Sequence, residues 1–280
     1  FKRIRFPRAA AKGFVMSIVP IFDPQRAGRP MRVAAFLSGS GTNIMKLIER
    51  EKMLKSAAGA SPFEVIFIFS DRSDGVSAGE KIACENGLPY FSYDIRTFHR
   101  MRSLKKSIGT PEGLSARKEY DRPAKTLVRA FEIDVIALGG YMSYITLDRC
   151  VNVHPADLSI RLPNGQRKYV GDHAVRDAIT AGETMLRAST LWTDAGVDTG
   201  PLLMVSEAIP VELPEALDSL IRKREVFLRV VDAHQARLKA VGDWKIFPRS
   251  IELIARGRFG FDENRALYFD GHPAPEGYRE

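Results

Sequence analysis

Apolar residues along this chain fall into two alternating kinds of run. Short β-branched and aromatic stretches at Arg32–Leu37, Phe63–Phe69, Ile133–Leu138, Val151–Val153, Leu186–Trp192 and Leu202–Ile209 read as strands. Between them, Asn43–Lys55, Gly75–Asn86, Ala116–Phe131 and His173–Ala181 read as helices. The alternation predicts an α/β fold: a Rossmann-like, mostly parallel sheet with helices on both faces. Ligands of such sheets bind outside the carboxyl ends of the strands, so chemistry is expected in the residues that follow each strand. Two stretches interrupt the pattern. Residues 97–115, with Gly109, Pro111 and Gly113, read as a loosely structured insertion, and 161–167 as a second, shorter one. Pro214–Val241 reads as a long helix or helix pair, followed by another at Pro248–Arg256 and a Pro/Gly-rich tail. The expected organisation is a basic arm over 1–30, one catalytic-type domain over 31–260 and a tail over 261–280.

Composition changes this picture little: 280 residues, 45% hydrophobic and 27% charged, are ordinary for a globular chain of one large or two small domains. No apolar run approaches the roughly 18 to 20 residues that span a bilayer, and no secretory signal pattern is present, so a soluble, cytoplasmic protein without a membrane partner is expected. Cys84 and Cys150 are the only cysteines; without a CxxC or a His cluster they predict neither a disulfide framework nor a metal site. The net charge of +8 invites a nucleic-acid reading, yet seven basic residues against Asp23 in the first 30 positions account for +6 of it. No nucleic-acid partner is therefore expected. The arm itself reads as an organelle-targeting segment, a translated upstream extension, or an arm packed on a neighbouring subunit of a homodimer, the last two preferred.

Three clusters carry candidate chemistry. The first strand runs into Ser38-Gly39-Ser40-Gly41-Thr42-Asn43 and then an amphipathic helix, an arrangement in which glycines admit an anion close to the backbone and a helix N-terminus favours its charge. It is neither a Walker A loop nor a complete dinucleotide fingerprint, and a plain strand-to-helix turn is the bland alternative. Gly139–Tyr144 follows the third strand, and Asn152-Val153-His154-Pro155 ends the fourth. Residues two apart on a strand face the same way, so Asn152 and His154 project together and suit oxyanion stabilisation, or else form a structural pair. Gly196-Val197-Asp198-Thr199-Gly200 is a turn bearing a carboxylate, and His173 opens a helix. If Asp198 reaches His173 or His154 the pair supplies a carboxylate–imidazole couple for proton transfer; otherwise Asp198 is a turn residue.

Taken together, these clusters resemble the glycinamide ribonucleotide formyltransferases among the folate-dependent formyltransferases, over nearly all of Met31–Gly260. The resemblance implies that Gly39, Ser40, Gly41, Thr42 and Asn43 hold the acceptor's phosphate. It likewise implies that Asn152, His154 and Asp198 are catalytic, with His173 orienting Asp198. Arg117, in the segment Ala116–Arg122, falls near the folate tail; Met142, Ser143 and Tyr144 fall at the pterin pocket; Asp194, Ala195, Gly196 and Val197 fall in the folate-contacting loop; and Asp243 falls where an acidic residue contacts the ribose. The implied reaction is attack of the acceptor amine on 10-formyltetrahydrofolate, the cosubstrate, with the oxyanion held by Asn152 and protonated His154, Asp198 moving the proton, and no metal. Departures bear on the acceptor: the insertion after Pro155, Asp157-Leu158-Ser159 for the usual Leu-Leu-Pro, Ser143 for an Arg, Leu191 for a His, and Asp243 for a Glu.

Alternatives on the same fold are a formyltetrahydrofolate deformylase, which usually carries an N-terminal regulatory domain, and methionyl-tRNA or sugar formyltransferases, which lack the phosphate loop in this form. From other classes, Asp198-Thr199-Gly200 matches an aspartic-protease triplet, a chemistry that needs a second carboxylate. A non-catalytic folate- or phosphate-ligand binding protein would not need Asn152, His154 and Asp198 together.

Overall fold

A computed structural model describes residues 17–104 and 107–280; residues 1–16 of the basic arm and 105–106 of the first insertion lie outside the described residues. In chain order the elements are β1 (Val19–Pro20), α1 (Pro24–Ala27), β2 (Met31–Leu37), α2 (Thr42–Ala58), β3 (Phe63–Ser70), α3 (Gly79–Glu85), β4 (Tyr90–Ser92), α4 (Ile95–Met101), α5 (Pro111–Tyr120), α6 (Arg122–Ala130), β5 (Val135–Leu138) and β6 (Cys150–His154). They continue with α7 (Ala174–Thr180), β7 (Met185–Leu186), β8 (Ser189–Trp192), β9 (Leu202–Val205), β10 (Ile209–Pro210), α8 (Leu217–Arg222), α9 (Arg224–Leu238), one π-helical turn (Lys239–Asp243), α10 (Trp244–Ala255), β11 (Phe259–Phe261), β12 (Leu267–Phe269) and β13 (His272–Pro273).

The core is a seven-stranded sheet in the order β4-β3-β2-β5-β6-β8-β9, parallel from β4 to β6 and antiparallel at β8 and β9. Its central strand β2 is apolar almost without interruption because both of its faces are covered. On one face Ile44 and Leu47 of α2, Val175 and Ile179 of α7, Phe227 and Val231 of α9 and Phe247 and Ile251 of α10 close the core. On the other, Ala124 and Val128 of α6 pack with Phe36, Phe67, Phe69 and Tyr141.

Strand order reverses at β2, which lies between β3 and β5. The chain winds outward from β2 through β3 to β4 and then returns past β2 to β5 and β6, and the crevice between the carboxyl ends of β2 and β5 is where an open α/β sheet receives a ligand. The two loops that border it are tied together: Ser38 N–H donates to the Gly140 carbonyl at 3.0 Å, Gly139 N–H to that of Phe36 at 3.0 Å, and Met142 N–H to Ser38 Oγ at 2.8 Å.

Several boundaries differ from those read in the sequence. The expected helix Ala116–Phe131 is two helices, α5 and α6, with Pro123 in the first turn of the second, where its missing N–H costs nothing. The first insertion is largely structured: Asp94 caps α4 by accepting from Thr97 N–H at 2.7 Å, and Thr110 caps α5 by accepting from Gly113 N–H at 3.1 Å. The tail over 261–280 is also folded. β1 pairs with β11, and β11, β12 and β13 continue a four-stranded antiparallel sheet built on Phe259, Phe261, Leu267 and Phe269. Thus the described part of the arm packs on this chain's own C-terminal strands. Tyr278 then reaches the outer strand β9, exchanging backbone bonds with Leu203 and Val205, while its ring stacks on Phe269 at 3.9 Å. Among the described residues no helix is long and apolar enough to cross a membrane.

Candidate active site

A cavity of about 560 Å³ opens at the carboxyl ends of β2, β5 and β6, between the Asp194–Asp198 turn and the π turn that joins α9 to α10. Gly39, Ser40, Gly41, Thr42 and Asn43 line one end; Met142, Ser143 and Tyr144 line the wall with Asp194, Gly196 and Val197; Asn152, His154, Asp198 and Asp243 also face it. Ala195 does not line the cavity, but its carbonyl accepts from Tyr144 Oη at 2.7 Å and so ties the two sides of the wall.

The first loop owes its shape to glycine. Gly41 sits at φ 65°, and a Cβ there would lie 2.5 Å from Ile82 Cδ1, so the loop can pack on α3 only with no side chain at this position. Gly39 has open space instead. No side chain caps the N-terminus of α2, which leaves the N–H groups of its first turn directed at the cavity. From the opposite side the π turn brings half-buried Lys239 and buried Asp243 to the same end. Burial pushes the Asp243 carboxyl up to about 6, opposed by the charge of Lys239 and a hydrogen bond from Asn43. Asp243 Oδ1 and Asn43 Oδ1 have no partner among the described residues, although both are buried. Two orphaned acceptors beside a cation and a row of N–H groups form a receptor for a ligand that carries both hydroxyls and negative charge.

At the other end, His154 is 5% exposed. Its Nε2 lies 3.0 Å from the Tyr169 carbonyl, which can only accept, so Nε2 carries a proton. Its Nδ1 lies 3.4 Å from Asp198 Oδ2. An imidazolium satisfies both oxygens, whereas a neutral ring satisfies only one. The same Asp198 oxygen accepts from Gly171 N–H at 2.9 Å, and Asp198 itself is held at φ 54°. Asn152 faces the cavity two residues before His154, as strand geometry requires.

Two expected site residues stand elsewhere. His173 is exposed at the start of α7, outside the cavity lining, and Asp198 turns to His154 and Gly171 instead. Arg117 is 3% exposed and pairs with Asp121 Oδ1 at 2.9 Å and Tyr141 Oη at 3.1 Å. It borders a separate cavity of about 150 Å³ that shares Ser143 and Tyr144 with the first. Residues the sequence reading missed include Arg72, after β3, and Gln235 and Lys239, on the same helical face as Asp243. Strand ends and helical spacing were the available signals. Among the described residues no cluster of three or more His, Cys, Asp or Glu side chains is placed to hold a metal.

Residues 31–227 match the family model described as formyl transferase. The chain belongs to the formyl transferase family. Within it, the trifunctional purine biosynthetic protein adenosine-3 of Drosophila melanogaster is 27% identical over 280 residues, which covers 91% of this chain and 17% of that protein. The human protein of the same name is 23% identical over 83% of this chain and 19% of its own length. The chain thus spans about a fifth or less of these relatives. Among solved structures, the phosphoribosylglycinamide formyltransferase of Coxiella burnetii superposes with a TM-score of 0.60 at 22% identity over 90% of this chain and 99% of that one. A formyltetrahydrofolate deformylase of Pseudomonas syringae gives 0.56 at 14% identity over 87% and 67%. Both likenesses place this formyl transferase chain on the fold they share.

Proposed function

We propose that the protein transfers the formyl group of 10-formyltetrahydrofolate to the amine of glycinamide ribonucleotide. The observation that carries the reading is the presence, in one cavity, of an anion-and-hydroxyl receptor at one end and the Asn152, His154 and Asp198 set at the other. The relatives named for purine biosynthesis and for phosphoribosylglycinamide formyl transfer support it. The cavity lies within the range of small-ligand sites, and exposed Met142 and Val197 offer apolar surface to a flat ring.

In this reading Gly39–Asn43 and Lys239 bind the acceptor's phosphate, and Asp243 with Asn43 binds its sugar hydroxyls. Asn152 and His154 donate to the formyl oxygen as it becomes negative, Nδ1 being the ring nitrogen left after Nε2 is spent on Tyr169. Asp198, beside Nδ1, receives the proton released by the attacking amine and returns one to the departing folate nitrogen. Hydrolysis of the donor by water is the second reading. The receptor end, with its glycine loop, Lys239 and Asp243, favours a larger acceptor, since hydrolysis has no phosphorylated acceptor for it to bind. A turnover assay decides: tetrahydrofolate release that requires glycinamide ribonucleotide supports transfer, and release without it supports hydrolysis.

A further inference from the structure

Between Pro155 and α7 the chain carries its short insertion, and the insertion is a built structure. Leu162 N–H and the Gln166 carbonyl meet at 2.8 Å, Gly165 N–H and the Leu162 carbonyl at 2.8 Å, and Arg161 bridges backbone-to-backbone with Arg167. Arg161 Nη1 closes the tip on the Gly165 carbonyl at 2.9 Å. The base is anchored on both sides: Tyr169 Oη donates to Glu183 Oε1 at 2.5 Å, Lys168 Nζ reaches the same oxygen at 3.1 Å, and Arg279 Nη2 donates to Ser159 Oγ at 3.0 Å.

What leaves this hairpin is a run whose alternate residues all reach the proton-transfer couple. Arg167 donates through Nη1 to the Asp198 carbonyl and through Nη2 to the Gly200 carbonyl at 2.6 Å. Tyr169 offers its carbonyl to His154 Nε2, and Gly171 its N–H to the Asp198 carboxylate. The turn that Arg167 grips needs holding. Asp198 occupies the left-handed region at φ 54°, which few residues with a side chain adopt and Asp and Asn enter more readily than most, and Gly200 is pressed against β8 so closely that a Cβ would meet the Trp192 carbonyl at 1.9 Å. Arg167 is half-buried, and its forked guanidinium spans both carbonyls of the turn, a geometry a single ammonium cannot reproduce.

We infer that Arg167 is a positioning residue for proton transfer: its insertion-borne guanidinium, gripping the carbonyls of Asp198 and Gly200, fixes the Asp198 carboxylate against His154. The inference rests on the formyl-transfer reading and adds to it a device carried by the insertion. Misplacement of a catalytic group by an ångström lowers turnover by up to about a hundredfold. Arg167→Ala is therefore expected to lower kcat by about ten- to a hundredfold while the KM values for donor and acceptor stay within about twofold. The pH profile of kcat should shift as well, because the carboxylate no longer faces the imidazole squarely. Arg167→Lys should recover part of the loss, and added guanidinium should restore the alanine variant where sodium chloride at equal ionic strength does not. Asn164→Ala, at the exposed tip, should leave kcat unchanged. An Arg167→Ala enzyme with wild-type kcat and pH profile, or one that loses melting temperature and both KM values together with kcat without guanidinium rescue, would overturn the inference. If the wild type turns over no acceptor, the function proposal fails on its own account. The positioning role is then read from the ¹⁵N resonances of the His154 ring. A change in Arg167→Ala that guanidinium reverses supports it, and unchanged resonances overturn it.

Discussion

His154 Nδ1 stands 3.4 Å from Asp198 Oδ2, and the other nitrogen of the same ring is engaged by the Tyr169 carbonyl at 3.0 Å. The ring is thereby fixed in orientation, and the carboxylate stands beside the nitrogen that faces the formyl oxygen, in place to take the amine's proton. Asp198→Asn is expected to keep the turn, since asparagine accepts a left-handed backbone, and to lower kcat by about 10²- to 10⁴-fold with little change in KM. Steady-state kinetics with a melting curve as control measure this; a variant within a few-fold of wild-type kcat would remove Asp198 from the chemistry.

Asp243 carries a pH signature. Its carboxyl ionises near 3.8 when exposed and at about 6 in the fold, so between those values the folded protein binds a proton that the unfolded chain has released. Stability therefore falls as pH rises from about 4 to about 6, by about 3 kcal/mol in all, and stays lower above that. Asp243→Asn should abolish this slope and melt higher than the wild type at pH 7.5, while binding the acceptor more weakly. Thermal melts across pH 4 to 8 test it, and parallel curves for the two proteins would refute it.

The two glycines of the first loop separate binding from folding. Gly41→Ala meets Ile82 and a left-handed backbone, so a loss of stability of about 1 to 3 kcal/mol is expected. Gly39→Ala has open space around it and should melt with the wild type. Its methyl instead stands where a phosphate would approach, so its effect should appear as a raised KM for the phosphorylated acceptor alone. An unchanged KM would argue against the loop as the anion site.

Arg117 should behave as a structural residue. Removing it by Arg117→Ala strands Asp121, which is 2% exposed and otherwise held by Thr146 N–H at 2.8 Å and Thr146 Oγ1 at 2.7 Å. A destabilisation of about 3 to 5 kcal/mol is expected in chemical denaturation. A variant that melts normally but binds folate poorly would return Arg117 to the ligand.

The strand and helix alternation carried most of the architecture in its hydrophobic pattern, because β2, β3 and β5 are buried on both faces and read as continuous apolar runs. The carboxyl-end rule likewise led to Gly39–Asn43, Asn152 and His154 from local order alone. What stayed hidden depends on long-range pairing. The partner of Asp198 is chosen by Gly171 and Tyr169, whose approach follows from an insertion with no regular period. The tail between residues 261 and 280 hid its strands because they are only two or three residues long and build on β11, whose other edge is covered by β1 from some 240 positions earlier. Lys239 was missed because the expected helix stopped at Val241, so the spacing that sets Lys239 and Asp243 on one face was not followed through the π turn.

Because Tyr278 donates its N–H to the Leu203 carbonyl and accepts from Val205 N–H, the outer edge of the large sheet is closed to other copies of the chain. β9 consists of Leu202, Leu203, Met204 and Val205, a segment that would template edge-to-edge association if its outer amides and carbonyls were free. Tyr278 fills those valences as a built-in gatekeeper, so Tyr278→Pro, which removes the donating N–H and leaves Arg279 on Ser159, should show first as light scattering on storage or heating, before any change in the catalytic constants.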